Sequence, residues 1–151
     1  MKKVNTLRFG ELEVEDNQII HFEKGIPAFE DEHEFVLIIQ DPSVPYAFMQ
    51  SLSTPDLAFL MARPFVFFPN YEFVLNDVIE QELGLKSEED LDIFTLITIP
   101  NGDIKKMTTN LLAPIVINKK NQKAQQYVLE KTKYTTKHAL FPAAAEGKEG
   151  K

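Results

Sequence analysis

Apolar and polar residues alternate with a period of two along most of this chain, which is the pattern of half-buried strands. Val4, Thr6 and Arg8 alternate with Asn5, Leu7 and Phe9. After Gly10, Leu12 and Val14 alternate with Glu11, Glu13 and Glu15, so one side of that strand is apolar and the other acidic. Asp16-Asn17 is reversal chemistry, and Gln18 to Phe22 reads as the return strand of a hairpin or meander. Gly25-Ile26-Pro27 stops it, because proline removes a donor and glycine permits unusual φ. Phe35 to Gln40 predicts a short buried strand. Tyr46–Leu52 and Leu57–Arg63 predict a hairpin across the turn-rich Ser53-Thr54-Pro55-Asp56.

Helix signals are few. Asn76 is placed to cap a helix running through Glu82, with Val78, Ile79 and Leu83 on one side and Gly84 as terminator. Ser87 starts a second short helix whose first turn holds Glu88, Glu89 and Asp90, where carboxylates suit the positive N-terminal end. Asp92 to Ile99 returns to strand, Asn101-Gly102 is the strongest hairpin turn, and Ile104 to Asn110 is expected to pair back. Leu111 to Ile117 reads as a buried strand that Pro114 forces to an edge or bulge. Lys123 to Leu129 reads as another strand, with an amphipathic helix as the alternative. Together these predict a mainly β protein: an antiparallel barrel-like domain over residues 1–141 with one or two short helices. Residues 142–151 are small and charged, and are expected to form a disordered tail.

Between the strands lies the aromatic run Pro64-Phe65-Val66-Phe67-Phe68-Pro69-Asn70-Tyr71-Glu72-Phe73. Alternation makes both its faces apolar while two prolines limit pairing. It is either a buried strand or an exposed apolar edge for a partner. Most of its phenylalanines are assigned to the core, and Asn70 and Tyr71, at the polar end, to the surface. Tyr46, Phe48 and Met49 have the same two readings, since aromatics and methionine serve both cores and adaptable interfaces.

Composition narrows the functional classes. The net charge is −7, divided as −12 over residues 1–117 and +5 over residues 118–151. An acidic body repels phosphate and attracts basic proteins. There are two arginines, Arg8 and Arg63, where nucleic-acid readers depend on Arg forks, so direct nucleic-acid binding is not expected. The cysteine count is zero, which excludes disulfides and thiolate metal sites and fits a cytoplasmic protein. No apolar run approaches the ~20 residues of a membrane span, and Asn5, Thr6 and Arg8 break any signal-peptide pattern.

Chemistry-bearing motifs are sparse. The three histidines are His21, His33 and His138; His33 sits in Glu30-Asp31-Glu32-His33-Glu34, but the spacing matches no zinc or EF-hand pattern. A solvated acidic loop is the simpler reading, and no metal or cofactor is expected. None of Ser43, Ser51, Ser53 and Ser87 lies in a nucleophile elbow, and no glycine-rich phosphate loop occurs. These observations point away from an enzyme. A small β-barrel ligand-binding module or enzyme of unknown substrate is the alternative.

A set of phrases in fixed order resembles the FliW family of flagellar assembly factors. They are Phe9-Gly10; Phe22-x-x-Gly25-Ile26-Pro27-x-Phe29-Glu30; Gln50-Ser51; Pro55-x-Leu57-Ala58-Phe59; Pro64 with Pro69-Asn70-Tyr71; and Thr108-x-Asn110-Leu111-x-Ala113-Pro114-Ile115-x-Ile117-Asn118. The resemblance runs from about Thr6 to His138. It departs at Ala28, where the family usually has glycine, and at Asn70, where it often has aspartate. What it implies is a cytoplasmic partner switch. Such a protein binds flagellin and, when flagellin is exported, binds CsrA away from its RNA surface, relieving repression of flagellin mRNA allosterically. On surface-compatible position and chemistry, Tyr46, Phe48, Asn70, Tyr71 and Glu72 are the candidate partner contacts. Glu11, Glu13 and Glu15 form a candidate steering stripe for a basic partner.

Overall fold

Strand alternation decides what faces inward. Phe22, Phe35, Met49, Met61, Phe94 and Ile115 are each completely buried in one cluster, and each such side chain contributes roughly 1.5–3 kcal/mol of apolar transfer. The strands that supply them close on themselves. In this computed structural model, which describes residues 2–141, the elements are β1 (Lys2–Thr6), β2 (Gly10–Val14), β3 (Ile19–Phe22), β4 (Glu34–Ile38), β5 (Tyr46–Ser51), β6 (Ala58–Ala62), α1 (Pro64–Phe67), α2 (Asp77–Leu83), β7 (Leu91–Thr98), β8 (Thr108–Thr109), β9 (Ile115–Asn118), β10 (Lys123–Gln126) and β11 (His138–Ala139). The sheet runs β7-β6-β5-β4-β3-β10-β9, and β9 pairs back onto β7, giving a closed seven-stranded barrel. All its pairings are antiparallel except β3 with β10, which pair in parallel through Lys123↔His21 and Ala124↔Phe22. A barrel of this size is just wide enough for its own side chains, and the phenylalanines fill it: the rings of Phe22 and Phe35 meet edge to face at 5.4 Å.

Two layers cover the outside of the barrel. The β1–β2 hairpin packs Val4 and Val14 on Ile19 and Val36. Its register sets Lys3 opposite Glu13 and Asn5 opposite Glu11, so Glu11 and Glu13 lie on the exposed face, followed by exposed Glu15. On another side, α2 lays Ile79 and Leu83, with Leu75, against Val116 of β9. Its ends are those read from the sequence. The Asn76 carboxamide oxygen accepts from the Ile79 N–H at 2.9 Å, and Gly84 closes the helix at φ 65°. Asn118, 1% exposed, donates to the Leu83 carbonyl at 2.8 Å, and Asn121 donates to the same oxygen at 2.9 Å. Two side chains from the β9–β10 turn thus satisfy a carbonyl that the helix leaves free.

Several local expectations are corrected by long-range pairing. The strand at Ile19–Phe22 does not return onto β2; it pairs with β4 and β10, and Asp16–Gln18 forms a 3-10 turn between the two sheets. The aromatic run is not a strand. Pro64 starts a one-turn helix, where its missing N–H costs nothing. Across Asn101-Gly102 the chain makes two 3-10 turns, and β8 pairs with β7 over two residues only, Thr108 and Thr109. Val78 is 60% exposed, so it does not share the buried side of α2 with Ile79 and Leu83. The tail expected over residues 142–151 lies outside the described residues.

The Gly-x-Pro turn needs two left-handed residues. Gly25 has φ 70°, and a Cβ there would sit 2.3 Å from the Glu30 carbonyl oxygen. Ala28 has φ 74°, so this chain keeps the turn's backbone without a glycine, at a cost of about 1–2 kcal/mol. Just beyond, the Glu32 carboxylate accepts from Ser51 Oγ at 2.5 Å, Thr54 Oγ1 at 2.5 Å and Ser53 Oγ at 3.1 Å, pinning the β5–β6 turn to the β3–β4 loop. Burial pushes its pKa up, but these hydroxyl bonds and the nearby His33 outweigh it and hold the carboxyl below its ordinary range.

Candidate functional site: an apolar groove beside an acidic hairpin

Tyr46 and Phe48 lie on β5 two residues apart and therefore share its outer face. Across the ladder Phe48 stands opposite Leu60, and Ile38, Val44, Ile99, Ile104 and Met107 complete an apolar groove of about 340 Å³. Val44 is 40% and Ile104 63% exposed. Single exposed apolar residues are ordinary, but several converging on one groove mark an interaction surface. The Tyr46 ring stands 5.8 Å from that of Phe67, and burial raises its hydroxyl pKa. The Phe48 ring meets Phe9 edge to face at 5.2 Å, and the Arg8 guanidinium lies over it at 5.0 Å. The tip of the β1–β2 hairpin therefore closes one end of the groove, and the same hairpin carries the Glu11, Glu13 and Glu15 stripe.

The structure separates the other expected contacts. Asn70 and Glu72 are exposed, but among the described residues no hydrogen bond or ring contact joins them to the groove. Tyr71 is not a surface residue. It is 3% exposed, and its hydroxyl donates to the Leu111 carbonyl at 2.7 Å. Burial, with a smaller contribution from Tyr134, drives its pKa far above that of a free phenol. Its ring packs 4.8 Å from Tyr134, which makes it a core anchor for the segment after α1. Val44, Ile99 and Ile104 were not among the expected contacts. Their signal in the sequence is that large apolar residues stand within turn-forming stretches, Asp41-Pro42-Ser43-Val44-Pro45 and Ile99-Pro100-Asn101-Gly102-Asp103-Ile104.

A second depression, about 580 Å³, lies where β3 and β10 meet α2 and is lined by His21, Lys24, His33, Glu34, Glu82 and Lys123 among others. Its charges pair with one another or with neighbours: Lys24 with Glu82 at 3.1 Å, and Glu34 with Lys2 at 3.5 Å and with His21 at 3.9 Å. His33 Nδ1 donates to the Phe22 carbonyl at 2.8 Å. Among the described residues no group of three or more His, Cys, Asp or Glu is arranged to hold a metal. No helix among them is long and apolar enough to cross a membrane.

The fold and this surface define a small, side-chain-filled β-barrel whose prominent feature is a groove for macromolecular contact rather than a lumen for a ligand. The family model described as FliW protein matches residues 3–140. The chain is 46% identical over 143 residues to the flagellar assembly factor FliW of Heliobacterium modesticaldum, covering 95% of this chain and 93% of that protein. It is 39% identical over 137 residues to the flagellar assembly factor FliW of Bacillus subtilis, covering 91% and 95% respectively. A crystal structure of the flagellar assembly factor FliW superimposes with a TM-score of 0.87 at 38% identity, covering 93% of this chain and 98% of that one. This chain belongs to the FliW family.

Proposed function

We propose that this protein is a flagellar assembly factor that works as a cytoplasmic partner switch. It binds flagellin and, once flagellin has been exported, binds CsrA and allosterically relieves its repression of flagellin mRNA. The observation that carries this reading is the FliW match across residues 3–140, with relatives named for flagellar assembly and none named as an enzyme. The surface supports it. The apolar groove at Tyr46 and Phe48 suits a protein partner, and the exposed carboxylates of β2 suit fast association with a basic one. If flagellin weakens CsrA binding, linkage requires CsrA to weaken flagellin binding by the same factor.

Calorimetric titration with CsrA, alone and with flagellin already bound, tests the proposal. The expected result is CsrA binding that is lost or greatly weakened when flagellin is present. Failure to bind either partner would overturn the switch reading. The alternative of a ligand-binding barrel has less support, because Phe22, Phe35 and Phe94 occupy the interior that a ligand would need.

A further inference from the structure

Gln50 continues the outer face of β5 past Phe48, and it is fully buried. Its side-chain nitrogen donates to the carbonyls of Ser51 at 3.0 Å, Pro55 at 3.3 Å and Thr54 at 3.4 Å. Three acceptors on the nitrogen fix which way the amide is turned. The other end, Oε1, is buried and accepts no hydrogen bond from any described residue. A buried acceptor left unpaired costs about 1–3 kcal/mol, and such an atom in a native fold calls for a donor. Gln50 lines a cleft of about 250 Å³ with Leu7, Arg8, Pro55, Asp56 and Ala58. The cleft lies beneath the hairpin tip, which is held there by the Leu7 N–H donating to the Pro55 carbonyl at 2.9 Å. Its volume is below the ~300–1,000 Å³ of pockets that take drug-sized ligands, so the occupant is small.

The chemistry of the lining selects the occupant. Arg8 offers a cationic fork, Asp56 a carboxylate, Gln50 a neutral buried acceptor, and Leu7, Pro55 and Ala58 an apolar wall. We propose that this cleft binds an α-amino-acid terminus: a carboxylate next to an N–H-bearing nitrogen, on a residue with an apolar side chain. Arg8 clasps the carboxylate, for which its planar fork is suited. Gln50 Oε1 accepts from the α-nitrogen, and the side chain lies against Leu7, Pro55 and Ala58. Asp56 favours a charged ammonium over an acylated nitrogen, so a free amino acid is the preferred source and the last residue of a peptide the other. The site does not depend on the partner reading above.

The test is NMR titration of the full-length, isotope-labelled protein with L-leucine, N-acetyl-L-leucine and L-leucinamide. The expected result is a saturable shift of the Gln50 side-chain amide and the Leu7 and Ala58 backbone amides with L-leucine. N-acetyl-L-leucine should bind more weakly and L-leucinamide hardly at all. Arg8→Gln, a change at an exposed residue, should weaken L-leucine binding roughly tenfold or more. Equal or tighter binding of N-acetyl-L-leucine would assign the site to a peptide C-terminus, keeping the clasp and changing its source. L-leucinamide binding as well as L-leucine, an unaltered affinity in Arg8→Gln, or no shift at these residues up to ~50 mM ligand would overturn the proposal; binding at that level would be worth under ~2 kcal/mol.

Discussion

Two outer faces of the same barrel carry similar apolar loads and meet different fates. On the face formed by β7, β9 and β10, Leu91, Ile93 and Val116 are covered by α2 and Leu75. On the face formed by β5 and β6, Tyr46, Phe48 and Leu60 are covered only in part, by Phe9, Arg8 and Phe67, and the remainder is an open groove. The first face is finished by its own chain, with a capped helix whose C-terminal carbonyl is tied down by Asn118 and Asn121. The second is left half-finished, and its incompleteness is what makes it available to another molecule. Residues that look alike in sequence, Ile79 and Ile104, therefore do different work: one is 8% exposed and the other 63%.

The sharpest way to test this contrast is to remove apolar volume from the finished face. Leu83→Ala, at a site 2% exposed, should cost about 2–5 kcal/mol in chemical denaturation; a loss below ~1 kcal/mol would mean that α2 is not a stabilising cover. Asn118→Ala removes the donor to the Leu83 carbonyl and the acceptor of the Lys120 N–H. It should cost about 1–3 kcal/mol, detected as earlier loss of hydrogen-exchange protection in α2 than in β5. On the side of the β5–β6 turn, Ala28→Gly should stabilise the protein by ~0.5–1 kcal/mol, since relief of the left-handed strain exceeds the added unfolded-chain entropy. An unchanged or lower denaturation midpoint would contradict the assigned φ.

The Glu32 staple gives this region a pH dependence. The folded pKa is depressed, so the unfolded state binds more protons as the solution is acidified. The contribution is therefore complete above the ordinary carboxyl value of about 4.5 and disappears as pH falls through the folded pKa. Denaturation midpoints measured from pH 7 down to ~3 should fall less steeply in Glu32→Gln than in the wild type; parallel curves would remove the staple. The smallest expected stability effect is in the groove. Ile104→Asp should change stability by less than ~0.5 kcal/mol yet weaken binding of CsrA or flagellin by calorimetry. A large stability loss would show that the groove is core, and unaltered affinity for both partners would show that it is not an interface.

The site was only partly legible in advance, and particular residues show why. Tyr46 and Phe48 were found because period-two spacing keeps them on one face, whichever way the sheet folds. Tyr71 was misplaced because its fate depends on the Leu111 carbonyl, 40 positions along the chain, and on Tyr134. Val44 and Ile104 were missed because a turn residue's exposure is set by what packs over it. The run around Phe65 looked like a strand because its composition is that of one. Pro64 at a helix N-terminus and the absence of a free ladder partner settled it otherwise.

What the sequence determined by itself was local. The boundaries of α2 follow from the Asn76 cap and the left-handed Gly84, the β5–β6 hairpin follows from alternation around a turn, and the acidic face of β2 follows from spacing alone. These depend on interactions within a few residues, and the short-range physics is written in the order of the side chains. The tertiary structure decided closure: β3 joined in parallel to β10, β9 brought back to β7, and the hairpin folded over Phe48 and Gln50. Those pairings join segments up to about a hundred residues apart. They are chosen because the collective burial of Phe22, Phe35, Phe94 and their neighbours outweighs the entropy of bringing distant segments together, a balance that no local pattern of residues expresses.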